Sequence, residues 1–191
     1  MEKGVLGNPH SKLGRPSLGG LQLVKEWWCP SPQAPDTTTW TGADLGTPMA
    51  FEVPEDARVV TFIGHQLRCT ASSAWLYAII NDDFGNNYWG ANAGGGGYGP
   101  QGAWNFMWVN GTNTTAWGVA QEYTIFNPTR LNYYGREFVG HGFAYSGSPT
   151  PWTGGGLYTP SAPTDNVIRK MKFWTSTGVL VEGSYLAMWA A

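Results

Sequence analysis

Ala74-Trp75-Leu76-Tyr77-Ala78-Ile79-Ile80-Asn81-Asp82-Asp83-Phe84-Gly85-Asn86-Asn87-Tyr88-Trp89 says most about how this chain folds. Its first half is apolar at both alternating sets of positions. That pattern fits a strand in the middle of a sheet, covered on both faces. Asn81 to Asn87 then supplies turn chemistry, since Asn, Asp and Gly tolerate the backbone angles of tight turns. Tyr88-Trp89 restart a strand, so the stretch is expected to be a hairpin.

The same alternation continues on either side. Asp56 to Gly64 reads as a strand with Val60 and Phe62 on one face and Val59 and Ile63 on the other. Ala103 to Val109 places Trp104, Phe106 and Trp108 on one face, and Asn110 to Thr115 turns. Gln121 to Asn127 is a strand stopped by Pro128, and Arg136 to Tyr145 is another. Val167 to Trp174 sets Ile168, Lys170, Lys172 and Trp174 against Val167, Arg169, Met171 and Phe173. Thr175 to Gly178 turns, and Gly183 to Trp189 closes the chain. Residues 90–102 and 146–166 are rich in Gly, Pro and Ser and read as long loops. Seven to nine strands with no intervening helical period predict an all-β antiparallel sandwich, with a jelly roll as the first choice of topology.

Composition supports this. The 191 residues contain 11 Trp, 27 Gly and 13 Pro, and only 13% are charged. A disordered chain would be poor in aromatics and rich in charge. A helix bundle would be rich in Ala, Glu, Lys and Leu. The net charge of −2 gives no basic surplus for a nucleic acid. No apolar run reaches the ~18 residues that span a membrane, so no membrane insertion is expected.

Three segments follow. Residues 1–26 carry Lys3, Lys12, Arg15 and Lys25 against Glu2 and Glu26, and their glycines and prolines break any period. This is expected to be an extended arm that orders against a partner. Residues 27–50 open with Trp27-Trp28 and contain Pro30, Pro32, Pro35 and Pro48, as in a linker or edge strand; Thr37 to Thr41 is a candidate short strand. Residues 51–191 form the β head. Met1 to Gly7 lacks the pattern of a secretory leader. Cys29 and Cys69 are too few for a disulfide framework and read as buried small hydrophobes.

Catalytic patterns are few. Gly94 to Gly97 is followed by Tyr98, not by the Lys-Ser/Thr of a phosphate loop. His10, His65 and His141 have no ligand spacing; His65 and His141 are expected at half-buried strand ends. Asp82, Asp83, Asn86 and Asn87 around Gly85 offer oxygen ligands, but without calcium-loop spacing, and the turn is preferred. Glu122 and Glu137 lie on strands and are the pair a glycosidase would use if the fold brought them together. No cofactor is implied.

Aromatic residues are the surplus. Trp75, Trp104, Trp108, Trp174 and Trp189 sit in strands and are expected in the core. Trp89, Tyr98, Trp117, Trp152 and Tyr158 flank the Gly-rich segments and are the candidate glycan or interface residues. A flat apolar ring with a polar edge suits a sugar or a protein surface.

The order of strands resembles small jelly-roll domains of tailed-bacteriophage virion proteins, of tail-fibre, minor-tail or head-fibre type. The likeness runs over residues 51–191. It is carried by Arg58 to Gly64, Ala74 to Ile80, the turn at Asn81 to Asn87, Tyr88-Trp89, Tyr123 to Pro128, Asn166 to Trp174 and Gly183 to Trp189. The abundance of Trp and the segments 90–102 and 146–166 depart from it. The resemblance implies a non-enzymatic virion protein assembled in the host cytoplasm. Its arm would attach to other virion proteins through Lys3, Lys12, Arg15 and Lys25, and its head would project, most simply as a trimer. A host-surface glycan is the alternative partner, through a lectin-like or carbohydrate-binding surface, and glycan degradation is a third reading.

Overall fold

The computed structural model describes residues 17–29, 49–71, 73–92, 97–101, 104–111, 119–130, 135–145, 149–160, 167–175 and 180–191. These contain thirteen strands and no α-helix. In chain order they begin with β1 (Ser17–Leu18), β2 (Leu21–Trp28), β3 (Ala50–Glu52), β4 (Val59–Cys69) and β5 (Ser73–Ile80). Then come β6 (Tyr88–Asn92), β7 (Gly97–Gln101), β8 (Trp104–Gly111) and β9 (Val119–Phe126). The last are β10 (Arg136–Tyr145), β11 (Pro149–Tyr158), β12 (Lys170–Thr175) and β13 (Tyr185–Ala190).

A large antiparallel sheet runs β1-β2-β13-β4-β9-β10-β11-β6-β7. A small one runs β3-β12-β5-β8. The two are joined because the end of β4, Arg68 and Cys69, pairs in parallel with Asn110 and Gly111 of β8. β4 makes this passage through a bulge. Its register on β9 shifts between Gly64 and Leu67, and Gln66 has φ +50°. A bulge of this kind bends a strand enough to leave one sheet for another.

The inner faces of the two sheets share one core. Phe62 of β4 meets Phe51 of β3 and Phe173 of β12 edge-on, with ring centroids 5.6 and 5.2 Å away. Leu67, Leu76, Tyr123, Ile125, Phe138, Leu186 and Met188 complete the sandwich-like layer. Away from the bulge in β4 these residues alternate with outward ones along their strands, as the pleat requires. Gly140 lets β9 and β10 approach here. A Cβ on it would lie 2.7 Å from the Glu122 carbonyl oxygen and 2.8 Å from the Tyr123 ring.

Several expectations change. Asn81 to Asn87 is a turn but not a hairpin. β5 belongs to the small sheet, between β12 and β8, and β6 to the large one, between β11 and β7. The turn therefore crosses between layers. Asn81 and Asp82 have φ +52° and +58°, and the Asp83 N–H donates to the Ile80 carbonyl at 2.8 Å. That is the tight turn that Asn and Asp favour. The segments 90–102 and 146–166 are not simply loops, since they hold β6's end, β7 and all of β11. Glycine-rich strands have no alternation to read, so Gly154 to Gly156 looked like coil.

A strand also runs across the boundary expected at residue 26. Gly19 and Gly20, with φ +56° and +90°, close a two-residue turn between β1 and β2. β2 then pairs with β13 from Gln22 to Trp28. Lys25 is thus part of the sheet; its Nζ donates to the Ala50 carbonyl at 2.6 Å and lies over the Phe51 ring. Lys3, Lys12 and Arg15, and the candidate strand at 37–41, lie outside the described residues. Cys29 and Cys69 are buried, and burial pushes the Cys69 thiol above its ordinary pKa.

Candidate functional site

The large sheet has an outer face that the small sheet does not cover. Alternation and register define it row by row. Trp28 sits beside Tyr185, and Tyr185 beside His65. The next row is Glu26, Ala187, Ile63, Glu122, His141 and Thr153. Then come Leu23, Trp189, Thr61, Thr124, Val139 and Gly155. At the far end Val59 pairs with Phe126, and Leu157 bridges Glu137 and Trp89.

Large apolar residues concentrate here. Among the described residues the exposed large hydrophobics are Trp28, Trp89, Phe126 and Val139, at 56, 42, 55 and 56% exposure, and all of them lie on this face. Leu23, Val59, Ile63, Leu157, Tyr185 and Trp189 are half-buried on the same face. Large apolar side chains left in water on one face make it a candidate interaction surface; Glu26, Glu122, His141, Thr124 and Thr153 lie between them. The charged groups are Glu26, Glu122 and Glu137, with the imidazoles of His65 and His141. No described Lys or Arg faces outward in these rows.

Local bonds hold the face in place. Trp28 and Tyr185 pack ring to ring, centroids 4.3 Å apart. The Tyr185 hydroxyl is 3.5 Å from Glu26 Oε2; burial and that carboxylate raise the phenol pKa. Thr61 and Thr124 hydroxyls are bonded at 3.0 Å. The Trp89 indole Nε1–H donates to Thr159 Oγ1 at 3.1 Å, which fixes the ring while leaving its face open. Trp189 Nε1 is buried without a hydrogen-bond partner among the described residues.

Of the residues singled out from sequence, Trp89 is on this face. Tyr158 is not. It is 1% exposed, and its hydroxyl donates to Asp83 Oδ2 at 2.9 Å, so it belongs to the core. Its position at the end of a glycine-rich strand concealed its inward phase. Tyr98 lies on β7 opposite Gly90 and Trp152 on β11 opposite Gly142, known here by strand position alone. Trp117 lies outside the described residues. Trp174 is buried as expected, but Trp75 and Trp189 are only half-buried. His65 and His141 are exposed within strands rather than at half-buried ends.

Trp28, Phe126, Val139, Leu157 and Tyr185 were missed. The signal was present, because Val139 and Phe126 alternate with the core residues Phe138 and Ile125. Apolar residues recurring at the outward phase of neighbouring strands place apolar side chains together on that face.

The acidic turn is not a free cation site. Asp83 Oδ1 accepts from the Gly85 N–H at 2.8 Å, and Oδ2 accepts from Asn87 Nδ2 at 2.8 Å as well as from Tyr158. Asp82 is paired with Lys170 and, at 2.8 Å, with Lys172. Partial burial alone would raise the Asp82 pKa, but the two ammonium groups outweigh it and hold the carboxyl below its usual range. No cluster of three potential metal ligands occurs among the described residues. Glu122 and Glu137 share the outer face but are far apart. Glu122 is opposite His141, four residues along β10 from Glu137. That is roughly 13 Å between their backbone positions at ~3.3 Å per residue; a glycosidase holds its two carboxyls ~5–9.5 Å apart.

No family model, curated protein or solved structure matches the chain. No helix among the described residues is long and apolar enough to cross a membrane.

Proposed function

We propose that this chain is a non-enzymatic structural protein of a bacteriophage virion, a fibre, tail or capsid-decorating component that acts by protein–protein contact through the outer face of its large sheet. The observation that carries the contact is the gathering of Trp28, Trp89, Phe126 and Val139 on that one face. Aromatic enrichment with no Lys is the composition of interface cores rather than of ordinary surface. The wide spacing of Glu122 and Glu137 argues against glycan cleavage there. The phage context and the jelly-roll form of the sandwich rest on the resemblance in strand order. Within that reading, residues 1–16, with Lys3, Lys12 and Arg15, are the anchor to other virion proteins.

Gold-labelled antibody to the chain, applied to purified particles of the phage that encodes it, tests the assignment. Labelling at one fixed place on the particle is the expected result. Abundant chain in infected cells with none on particles would remove the virion role.

A second reading rests on Trp89. Its indole is pinned by Thr159 and presents an open face beside Leu157, the arrangement on which a sugar ring stacks. Host-surface glycan binding predicts hits on a glycan array that disappear in Trp89→Ala.

A further inference from the structure

We infer that the outer face of the large sheet pairs with the same face of a second copy of this chain, so that the protein is a two-fold dimer. The inference rests on the assembly reading above and names its partner. Three observations support it.

The first is size. Between β2 and β6 the face crosses seven strands, a width of roughly 30 Å at ~4.8 Å per strand, and from Val59 to His65 it runs about 20 Å. That footprint is on the scale of the ~800 Å² that each partner contributes to a standard stable interface, with Ala187 and Thr61 inside it already buried. A monosaccharide or a single peptide strand would leave most of it wet.

The second is position. Trp28 and Trp89 lie at opposite sides of the sheet, with Ile63, Phe126 and Val139 between them, so no small ligand covers them together. A flat partner of equal extent does, and the chain itself carries such a surface.

The third is self-complementarity. His141 and Glu122 are cross-strand neighbours in the middle of the face. A two-fold axis passing between them sets each imidazole opposite the other copy's carboxylate, so donor meets acceptor on both sides. Glu26 and Glu137 lie nearer the rim, where water solvates them. An isologous contact of this type closes with two copies. It therefore differs from the trimer that the resemblance implies.

The test uses the full chain. Light scattering from 1 to 100 µM is expected to give the mass of two chains. Val139→Arg and Phe126→Arg place a cation in the apolar field; each is exposed in the single chain, so folding is expected to survive. Each weakens dimerisation by at least ~30-fold, the scale of losing an interface anchor, while the melting midpoint measured at a concentration where the chain is monomeric stays unchanged. Two Arg variants guard against one failing to fold.

The symmetry is tested separately. Both native cysteines are buried, so Val139→Cys supplies the reactive thiol. A short bis-maleimide is expected to join two copies through residue 139 alone. A monomer at 100 µM, a trimer, or dimers retained in both Arg variants overturn the inference. Those results leave particle labelling free to stand, so failure of the dimer and failure of the virion reading are separable. A dimer that Val139→Cys fails to cross-link, but that both Arg variants disrupt, overturns the two-fold arrangement about the centre of the face.

Discussion

The two faces of the large sheet are built from the same strands and largely the same residue types, yet they have opposite fates. Phe62, Tyr123 and Phe138 point inward and are buried. Their immediate neighbours Ile63, Thr124 and Val139 point outward. The inner phenols reach polar partners: the Tyr88 hydroxyl donates to the Asp83 carbonyl at 2.8 Å and accepts from the Ile80 N–H at 3.0 Å. Tyr158 donates to the Asp83 carboxylate. The outer indole of Trp189 has no such partner among the described residues. The inner face is closed by the small sheet within one chain, whereas the outer face mixes charged and hydroxyl side chains with Trp28, Phe126 and Val139, each more than half exposed. Hydrophobic burial is carried further on one side of the sheet than on the other, where large apolar side chains are left in water.

The contrast breaks if neighbouring residues of β10 respond alike. Phe138→Ala is expected to cost about 3–5 kcal/mol, the usual range for emptying a buried aromatic site. Val139→Ala, one residue away, is expected to change the stability of the isolated chain by less than ~0.5 kcal/mol. Urea unfolding at a concentration below any self-association measures both. A large effect at Val139 under those conditions would mean that the outer face is already covered within the chain.

Asp83 is next in size. It ties the end of the inner face to the crossing turn through Gly85, Asn87 and Tyr158. Asp83→Ala strands a buried phenol and opens the turn, at an expected cost of about 2–3 kcal/mol. Tyr158→Phe removes one of these bonds and costs about 1 kcal/mol. A double-mutant cycle should find the two strongly coupled. Additive losses would show that the carboxylate stabilises the turn without supporting the core.

The inner face was largely legible from sequence, and the outer face was not. Val60 and Phe62 against Val59 and Ile63, or Met171 and Phe173 against Lys170 and Lys172, assign strands by alternation alone. Where both phases are apolar, as in Ala74 to Ile80, alternation gives a covered strand but not what covers it. β11 failed because glycine carries no side chain to mark a phase, and this hid both the strand and the inward position of Tyr158. The crossing at Asn81 to Asn87 failed for a different reason. Turn residues specify local backbone, whereas the sheet each flanking strand joins is set by contacts such as Asp83 with Tyr158, 75 residues apart. Trp89 was found because its bulk at a strand start is conspicuous. Phe126 and Val139 are ordinary strand residues until register places them together.

Alkali probes the inner face without mutation. Burial pushes the phenol pKa of Tyr88 upward, and that of Tyr123 likewise. A group with a raised folded pKa contributes stability that is fully present below its unfolded value, near ~10 for tyrosine, and is lost as pH rises towards the folded value. Stability should therefore fall above pH ~10 by about 1 kcal/mol per pH unit for each buried phenol. Tyr88→Phe should make that decline shallower. An unchanged slope would mean that other groups dominate the alkaline limb.

The smallest effect lies on the rim of the small sheet, at Asp82 between Lys170 and Lys172. The net depression of its pKa means that its contribution is present above the unfolded value, near ~3.9 for aspartate, and disappears as pH falls through the lower folded value. The carboxylate side chain is 39% exposed, so water screens much of the attraction. The expected loss in Asp82→Asn is below ~1 kcal/mol, and adding salt should shrink it further. Lys172→Ala at neutral pH should give a loss of the same order, and a cycle between the two variants should return a coupling smaller than that of Asp83 with Tyr158. A larger coupling at Asp82 would place the electrostatic anchor of the crossing turn on the lysines of β12. The carboxylate of Asp83, which faces the inner core, would then be secondary in holding the crossing between the two sheets.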